Sequence, residues 1–136
     1  MKVFLDTSVI LSACSSQRSL SRLVFVLAPE RGWHLVSAHY CRAETLRNLG
    51  KFPPSAMQTW LEWQDTIEWT PNALTTRHPL LPIASKDKPV LISALAADCD
   101  TLLTLDKGDF GDLLESKVYK MLVTTPRDFL VRAGLG

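Results

Sequence analysis

The sequence predicts an α/β fold: a three-layer α/β/α sandwich with a central, mainly parallel sheet between two layers of helices. Two observations carry that prediction. Short apolar runs of strand length alternate with helical stretches along the chain. Prolines, glycines and cap-forming residues also punctuate the boundaries between them. The 136 residues correspond to a single domain by length, with enough chain to bury one sizeable core.

The first apolar run, Val3-Phe4-Leu5, leads into a helical stretch from about Thr7 to Cys14. A second helix fits Leu20 to Ala28, with Leu20, Leu23, Val24 and Leu27 at helical spacing and Pro29 and Gly32 expected to end it. Trp33 to Val36 reads as the next strand, after which Ser37 is placed to cap a helix running to about Leu49. Gly50 and Pro53-Pro54 close that segment, and Ser55 begins a helix carrying Met57, Trp60 and Leu61. Ile67 to Trp69 suits a brief strand, and Thr70 to Lys86, with three prolines, suits irregular structure. Then follow a helix from Pro89 to about Ala97, a strand Thr101 to Leu105, a short helix Asp109 to Glu115 and a strand Val118 to Val123. Thr125-Pro126-Arg127-Asp128 has the form of a capping box that starts a last helix with proline at its first position.

Composition bounds the function classes. Hydrophobic residues at 46% and charged residues at 21% fit a globular protein, and neither a disordered nor a fibrous one. A formal net charge of +1 neither supports nor excludes a nucleic-acid partner, because acids that hold metal offset cations that meet phosphate. Cys14, Cys41 and Cys99 are odd in number and far apart, as expected of reduced thiols in the cytoplasm. Asp6 interrupts the first apolar run too early for a signal peptide, and no stretch approaches the ~20 apolar residues of a membrane span.

In a parallel sheet every strand's carboxyl end, and the start of the helix that follows, lies on one edge, where such folds bind ligands. Connectivity brings Asp6, Asp87, Asp106 and Asp109 to that edge, with Glu44 if its helix tilts inward. Asp98 and Asp100 fall on the opposite edge. Asp6, Asp87 and Asp109 are each also read as helix caps, a role worth ~1 kcal/mol. As a group the acids are harder to explain that way. Two carboxylates about 4 Å apart repel by roughly 4 kcal/mol at an effective dielectric of 20, so a cluster calls for a cation or for protonation. Hard oxygen donors without histidine or cysteine point to Mg²⁺ or Mn²⁺.

The segments FLDTSVI (Phe4–Ile10), SAHYCRAETLRNL (Ser37–Leu49), KDKPVLISALAADCDTLLTLDKGDF (Lys86–Phe110) and TTPRDFL (Thr124–Leu130) closely resemble the PIN domain, the PilT N-terminus-like family that includes VapC-like toxins. Asp6, Glu44, Asp87 and Asp106 match that family's four acidic positions in order. The resemblance implies a metal-dependent ribonuclease in which Asp6, Asp87 and Asp106 hold one or two ions and Glu44 holds a metal or orients its water. Asp109 falls at a position that varies in the family and is read both as a further metal ligand and as a cap. Ser8 stands where the family often has asparagine, placed to hydrogen-bond a ligand water, and Thr104 matches a threonine that positions the carboxylates. Asp128 is expected to cap its helix.

Metal-activated water and in-line attack would cleave single-stranded RNA to leave a 5′-phosphate and a 3′-hydroxyl. Arg42, Lys107 and Arg127 are among the cations expected at the rim of the site, with Arg42 and Lys107 as the RNA-binding candidates. Trp60 and Trp63, three residues apart, suit packing or a dimer surface better than base stacking. The resemblance further implies a homodimer and a small antitoxin partner in a type II toxin–antitoxin pair. The alternatives are a PIN fold that binds RNA or acts as a scaffold without cutting, and a phosphotransfer or receiver domain; the latter lacks the Asp-x-Asp of the common phosphatase pattern at Phe4–Ile10.

Overall fold

The structure is a computed structural model that describes residues 1–73 and 88–135, with backbone alone at Lys88 and Asp109. Six strands form one sheet in the order β3-β2-β1-β4-β6-β5, where β1 is Lys2–Leu5, β2 His34–Ala38, β3 Glu68–Thr70, β4 Thr101–Leu103, β5 Ser116–Val118 and β6 Met121–Thr124. All pairings are parallel except β5 with β6. The helices are α1 (Thr7–Ser15), α2 (Leu20–Arg31), α3 (His39–Leu49), α4 (Pro54–Trp63), α5 (Lys88–Ala96), α6 (Lys107–Phe110) and α7 (Pro126–Arg132).

Strand alternation sorts the core into two layers. Val3, Leu5, Leu35 and Leu103 face a cluster built with Val9 and Ile10 of α1, Val24 and Phe25 of α2, Trp60 of α4 and Phe129 of α7. Their neighbours Phe4, Val36 and Leu102 face the other side, against Cys41 of α3 and Val90, Leu91 and Ala94 of α5. The expected three-layer sandwich is therefore present. Trp60 is 2% exposed and meets Trp69 at 5.7 Å between ring centroids, and Trp63 stacks on Phe25 at 4.9 Å, so both tryptophans pack.

Several boundaries differ from the sequence reading. Pro29 does not end α2; it lies in the last turn, and the helix stops at Gly32, whose φ of 71° sets the left-handed cap. A proline near a helix's end removes one hydrogen bond without breaking the turns before it. Ser37 does not cap α3: it is buried in β2 and donates to the Leu5 carbonyl at 2.7 Å, while Ala38 takes the N-cap position with no side-chain bond. The expected strand Val118 to Val123 is a hairpin, with Tyr119 at φ 58° turning β5 back onto β6. The short helix begins at Lys107 and not at Asp109. The final cap is as expected, with Thr125 Oγ1 accepting from the Asp128 amide at 3.2 Å.

β1 pairs with β2 on one side and with β4 on the other, so the direction of winding reverses between β1 and β4. At such a reversal the connections leave in opposite directions and open a crevice beyond the carboxyl ends of the strands. Asp6 and Asp106 follow those two strands.

Candidate functional site

β1 ends at Leu5, and the Asp6 amide continues the ladder by donating to the Leu103 carbonyl at 3.0 Å. Asp6 has φ −68° and ψ 154°, an extended N-cap geometry that turns the chain into α1 and aims the carboxylate at the crevice. Its Oδ1 accepts from the Thr7 amide at 2.8 Å. Its Oδ2 accepts from Ser8 Oγ at 3.0 Å and from Thr104 Oγ1 at 2.8 Å. Each hydroxyl is itself an acceptor: Ser8 Oγ takes the Leu105 amide at 3.1 Å and Thr104 Oγ1 takes the Asp106 amide at 3.0 Å. Because each hydroxyl oxygen accepts from an amide, its one proton is directed at the carboxylate. Two relays thus lock the turn after β1 to the turn after β4, and hold Asp6 and Asp106 in a fixed relation.

Capping accounts for the Thr7 amide bond alone. Asp6 is 9% exposed, and burial, the largest influence, pushes its pKa above the ordinary carboxylate range. The bonds from Thr104, Ser8 and Thr7 pull it down, and the negative charge of Asp106 pushes it up again. A buried, firmly oriented carboxylate with a second carboxylate nearby gains most from a cation.

Glu44 is half-buried on α3, and Thr7 Oγ1 reaches its Oε1 at 3.5 Å, the long limit of a hydrogen bond. Asp106 is half-buried at the start of α6, where its carbonyl accepts from the Phe110 amide at 3.1 Å. A Cβ added at Gly108 would lie 3.5 Å from Asp106 Oδ1, so that carboxylate stands over the first turn of α6.

Of the residues expected at the site, the structure joins Asp6, Ser8, Thr104 and Asp106 directly and Glu44 through Thr7. Asp87 immediately precedes α5 in the chain and lies outside the described residues, as does the side chain of Asp109. Among the described residues no group of three or more histidine, cysteine, aspartate or glutamate side chains forms a metal site by itself. Lys107 is exposed beside Asp106. Arg42 turns toward the β3 side, bonding Gln64 Oε1 at 3.3 Å with its guanidinium 5.9 Å from the Trp69 ring centroid.

Two residues were not singled out by the sequence. Thr7 is buried and links Asp6 to Glu44. Tyr40 precedes Glu44 by one turn, and its hydroxyl is shielded from solvent, with the weakly hydrogen-bonding Cys41 thiol in place of an oxygen or nitrogen partner among the described residues. Burial, the neighbouring Cys41 and then the charges of Asp6 and Glu44 raise its pKa, so the phenol remains a donor. The spacing of four from Glu44 was the available signal, since it puts both on one helix face. Cys41 is buried and its thiol is also pushed up, mainly by burial, so it stays protonated and offers no soft thiolate ligand.

Fold and edge geometry define an α/β protein with oxygen donors at a topological switch point. Its architecture is similar to a chain in the solved structure of VapBC2 from Rickettsia felis bound to a DNA fragment from their promoter, with a TM-score of 0.65 over 92% of this chain and 98% of that one, at 14% sequence identity. No family model matches the sequence, and no curated protein matches it.

Proposed function

We propose that this chain is a metal-dependent endoribonuclease that hydrolyses phosphodiester bonds of single-stranded RNA, and that it acts as the toxin of a type II toxin–antitoxin pair. The observation that carries the reading is the Asp6 carboxylate, buried at the switch point and gripped by Ser8 and Thr104 beside Asp106. The donor set fits a hard divalent cation: carboxylates and hydroxyls, with the nearest thiol protonated. Asp6 and Asp106 would hold Mg²⁺ or Mn²⁺, joined by Asp87 on the sequence reading and with Glu44 and Asp109 as further candidates. When bound, the ion supplies an activated water and neutralises charge on the phosphate. The chain's own residues do the rest. Ser8 and Thr104 fix the Asp6 oxygens, and Glu44 would orient the water.

The toxin assignment draws on the likeness to a VapBC2 chain and implies a small antitoxin protein as partner. The second reading is a PIN-like module that binds RNA or serves as a scaffold without cutting.

Cleavage of labelled single-stranded RNA with Mg²⁺ or Mn²⁺ separates the two. Wild-type protein is expected to cut, EDTA to stop it, and Asp6→Asn to lower the rate at least 100-fold, a loss of about 3 kcal/mol in barrier stabilisation. Undiminished cutting by Asp6→Asn removes the mechanism. A folded wild type that neither binds Mn²⁺ nor cuts establishes the non-catalytic module.

A further inference from the structure

A pocket of about 500 Å³ opens one residue beyond Asp106, and its lining includes Leu20, Leu105, Lys107, Thr125, Arg127 and Asp128. That volume is within the range of about 300–1,000 Å³ typical of small-ligand sites. Its walls are unusual for surface this close to an acidic edge: Leu20 is 44% exposed and Leu105 is 40% exposed. Its cations are unusual too. Lys107 is the first residue of the single-turn α6, and Arg127 is in the first turn of α7, where a positive charge is disfavoured. Neither is ion-paired to another described residue. Arg22 and Arg132 by contrast are committed, to the Ala13 and Cys14 carbonyls and to Glu115. Two cations with no ion pair among the described residues, flanking exposed leucines, match a ligand that joins an anion to an apolar part.

We propose that this pocket is a subsite for one nucleotide of the bound strand, taking its base against Leu20 and Leu105 and its phosphate against Lys107 and Arg127. The inference rests on the reading of the adjacent acids as a nuclease site. Continuity supports it: the Leu105 amide is bonded to Ser8 Oγ, which bonds Asp6, so the pocket wall and the carboxylate belong to one rigid turn. Single-stranded RNA presents unstacked bases and a charged backbone together, which is the chemistry the lining matches. Asp128 adds a carboxylate to the lining, held by Thr125, whose hydroxyl accepts from the Asp128 amide and donates to Asp128 Oδ2, each at 3.2 Å. A carboxylate accepts from amino and imino groups, so a base that offers both side by side, as guanine does, is favoured.

The test is anisotropy of a short labelled single-stranded RNA with full-length protein in EDTA, where no cutting occurs, beside the same strand made abasic. Arg127→Ala is expected to weaken binding of both strands about five- to tenfold at low salt and to lower the salt slope by about one. Leu20→Ala is expected to weaken the base-bearing strand by about fivefold and leave the abasic strand unchanged. Mn²⁺ affinity by calorimetry should be unchanged in both variants. Wild-type binding in both variants overturns the subsite, as does an equal loss for both strands in Leu20→Ala. Intact RNA binding with lost assembly with a small protein partner makes the pocket a protein-docking groove, and also overturns it. If wild type binds RNA through these residues but never cuts, the subsite stands and the nuclease reading falls.

Discussion

At the scale of the residue, the site is a set of hydroxyls and amides arranged around one carboxylate. Asp6 and Asp106 were legible in the sequence because each follows a strand at the point where the pattern changes to helix. Ser8 and Thr104 were legible too, although their second role, as acceptors from the 105 and 106 amides, depends on a spatial neighbour that no spacing reveals. Tyr40 was not legible, since the lack of a partner for its hydroxyl is a property of packing. A buried hydroxyl left without a partner costs about 1–3 kcal/mol. Tyr40→Phe is therefore expected to raise the metal-free thermal midpoint by roughly 2–5 °C. The same variant is expected to leave RNA cleavage unchanged, since the shielded hydroxyl does not meet the substrate. A thermal scan beside a cleavage assay reads both; a less stable variant would show that the hydroxyl is satisfied in the fold.

At the scale of the element, the short strand–turn–helix units are set by local chemistry where their punctuation is strong. The α7 cap, with Thr125 receiving the Asp128 amide and Pro126 at the first turn, was readable because those residue types have few other uses in that order. The β5–β6 hairpin was hidden because Tyr119 occupies a left-handed turn position that glycine or asparagine normally marks. Ser37 was misread because a strand buried on both faces hides where it ends, and its hydroxyl is satisfied by Leu5 across the sheet. Two glycines test how far elements are independent. Gly32 caps α2 at φ 71° with nothing near an added Cβ, so Gly32→Ala should cost about 1 kcal/mol through the backbone alone and spare the site. A Cβ at Gly111 would stand 2.4 Å from the Lys107 carbonyl oxygen, so Gly111→Ala must displace the turn that carries Asp106. Denaturant melts should show a loss of about 1–3 kcal/mol there, accompanied by weaker Mn²⁺ binding, which Gly32→Ala should not show.

At the scale of the whole molecule, the alternation of strand and helix made the fold class and the ligand edge readable, because it leaves few parallel topologies, while the strand order that opens the crevice between β1 and β4 depends on pairing across the sheet. Segment 74–87, and with it Asp87, stays with the sequence argument, as do the metal and the RNA. Electrostatics at the crevice gives the molecule a signature in pH. Asp6 has a folded-state pKa above its ordinary value of 3.8, so between those two values the native state binds more protons than the unfolded chain. Stability from this group therefore falls as pH rises through that window, and above it Asp6 opposes folding. Glu115, lowered chiefly by the Thr124 hydroxyl, has the opposite sign and loses its contribution as pH falls through its depressed folded-state pKa. Near neutral pH, Mn²⁺ at 100 times its Kd should add about 2.7 kcal/mol, an increment lost in Asp6→Asn and diminished as acid competes for the carboxylates. Thermal melts of both proteins across pH, with EDTA and with Mn²⁺, isolate the Asp6 share.

The clasp between the first and second turns of the crevice carries a consequence for the protein's birth. Its two hydroxyl bridges join residues 98 and 97 positions apart in the chain. A nascent polypeptide thus emerges from the ribosome with the two sides of the crevice unconnected until Thr104 and Leu105 have been made. Premature termination or proteolysis before Thr104 leaves fragments without the clasp that orients Asp6.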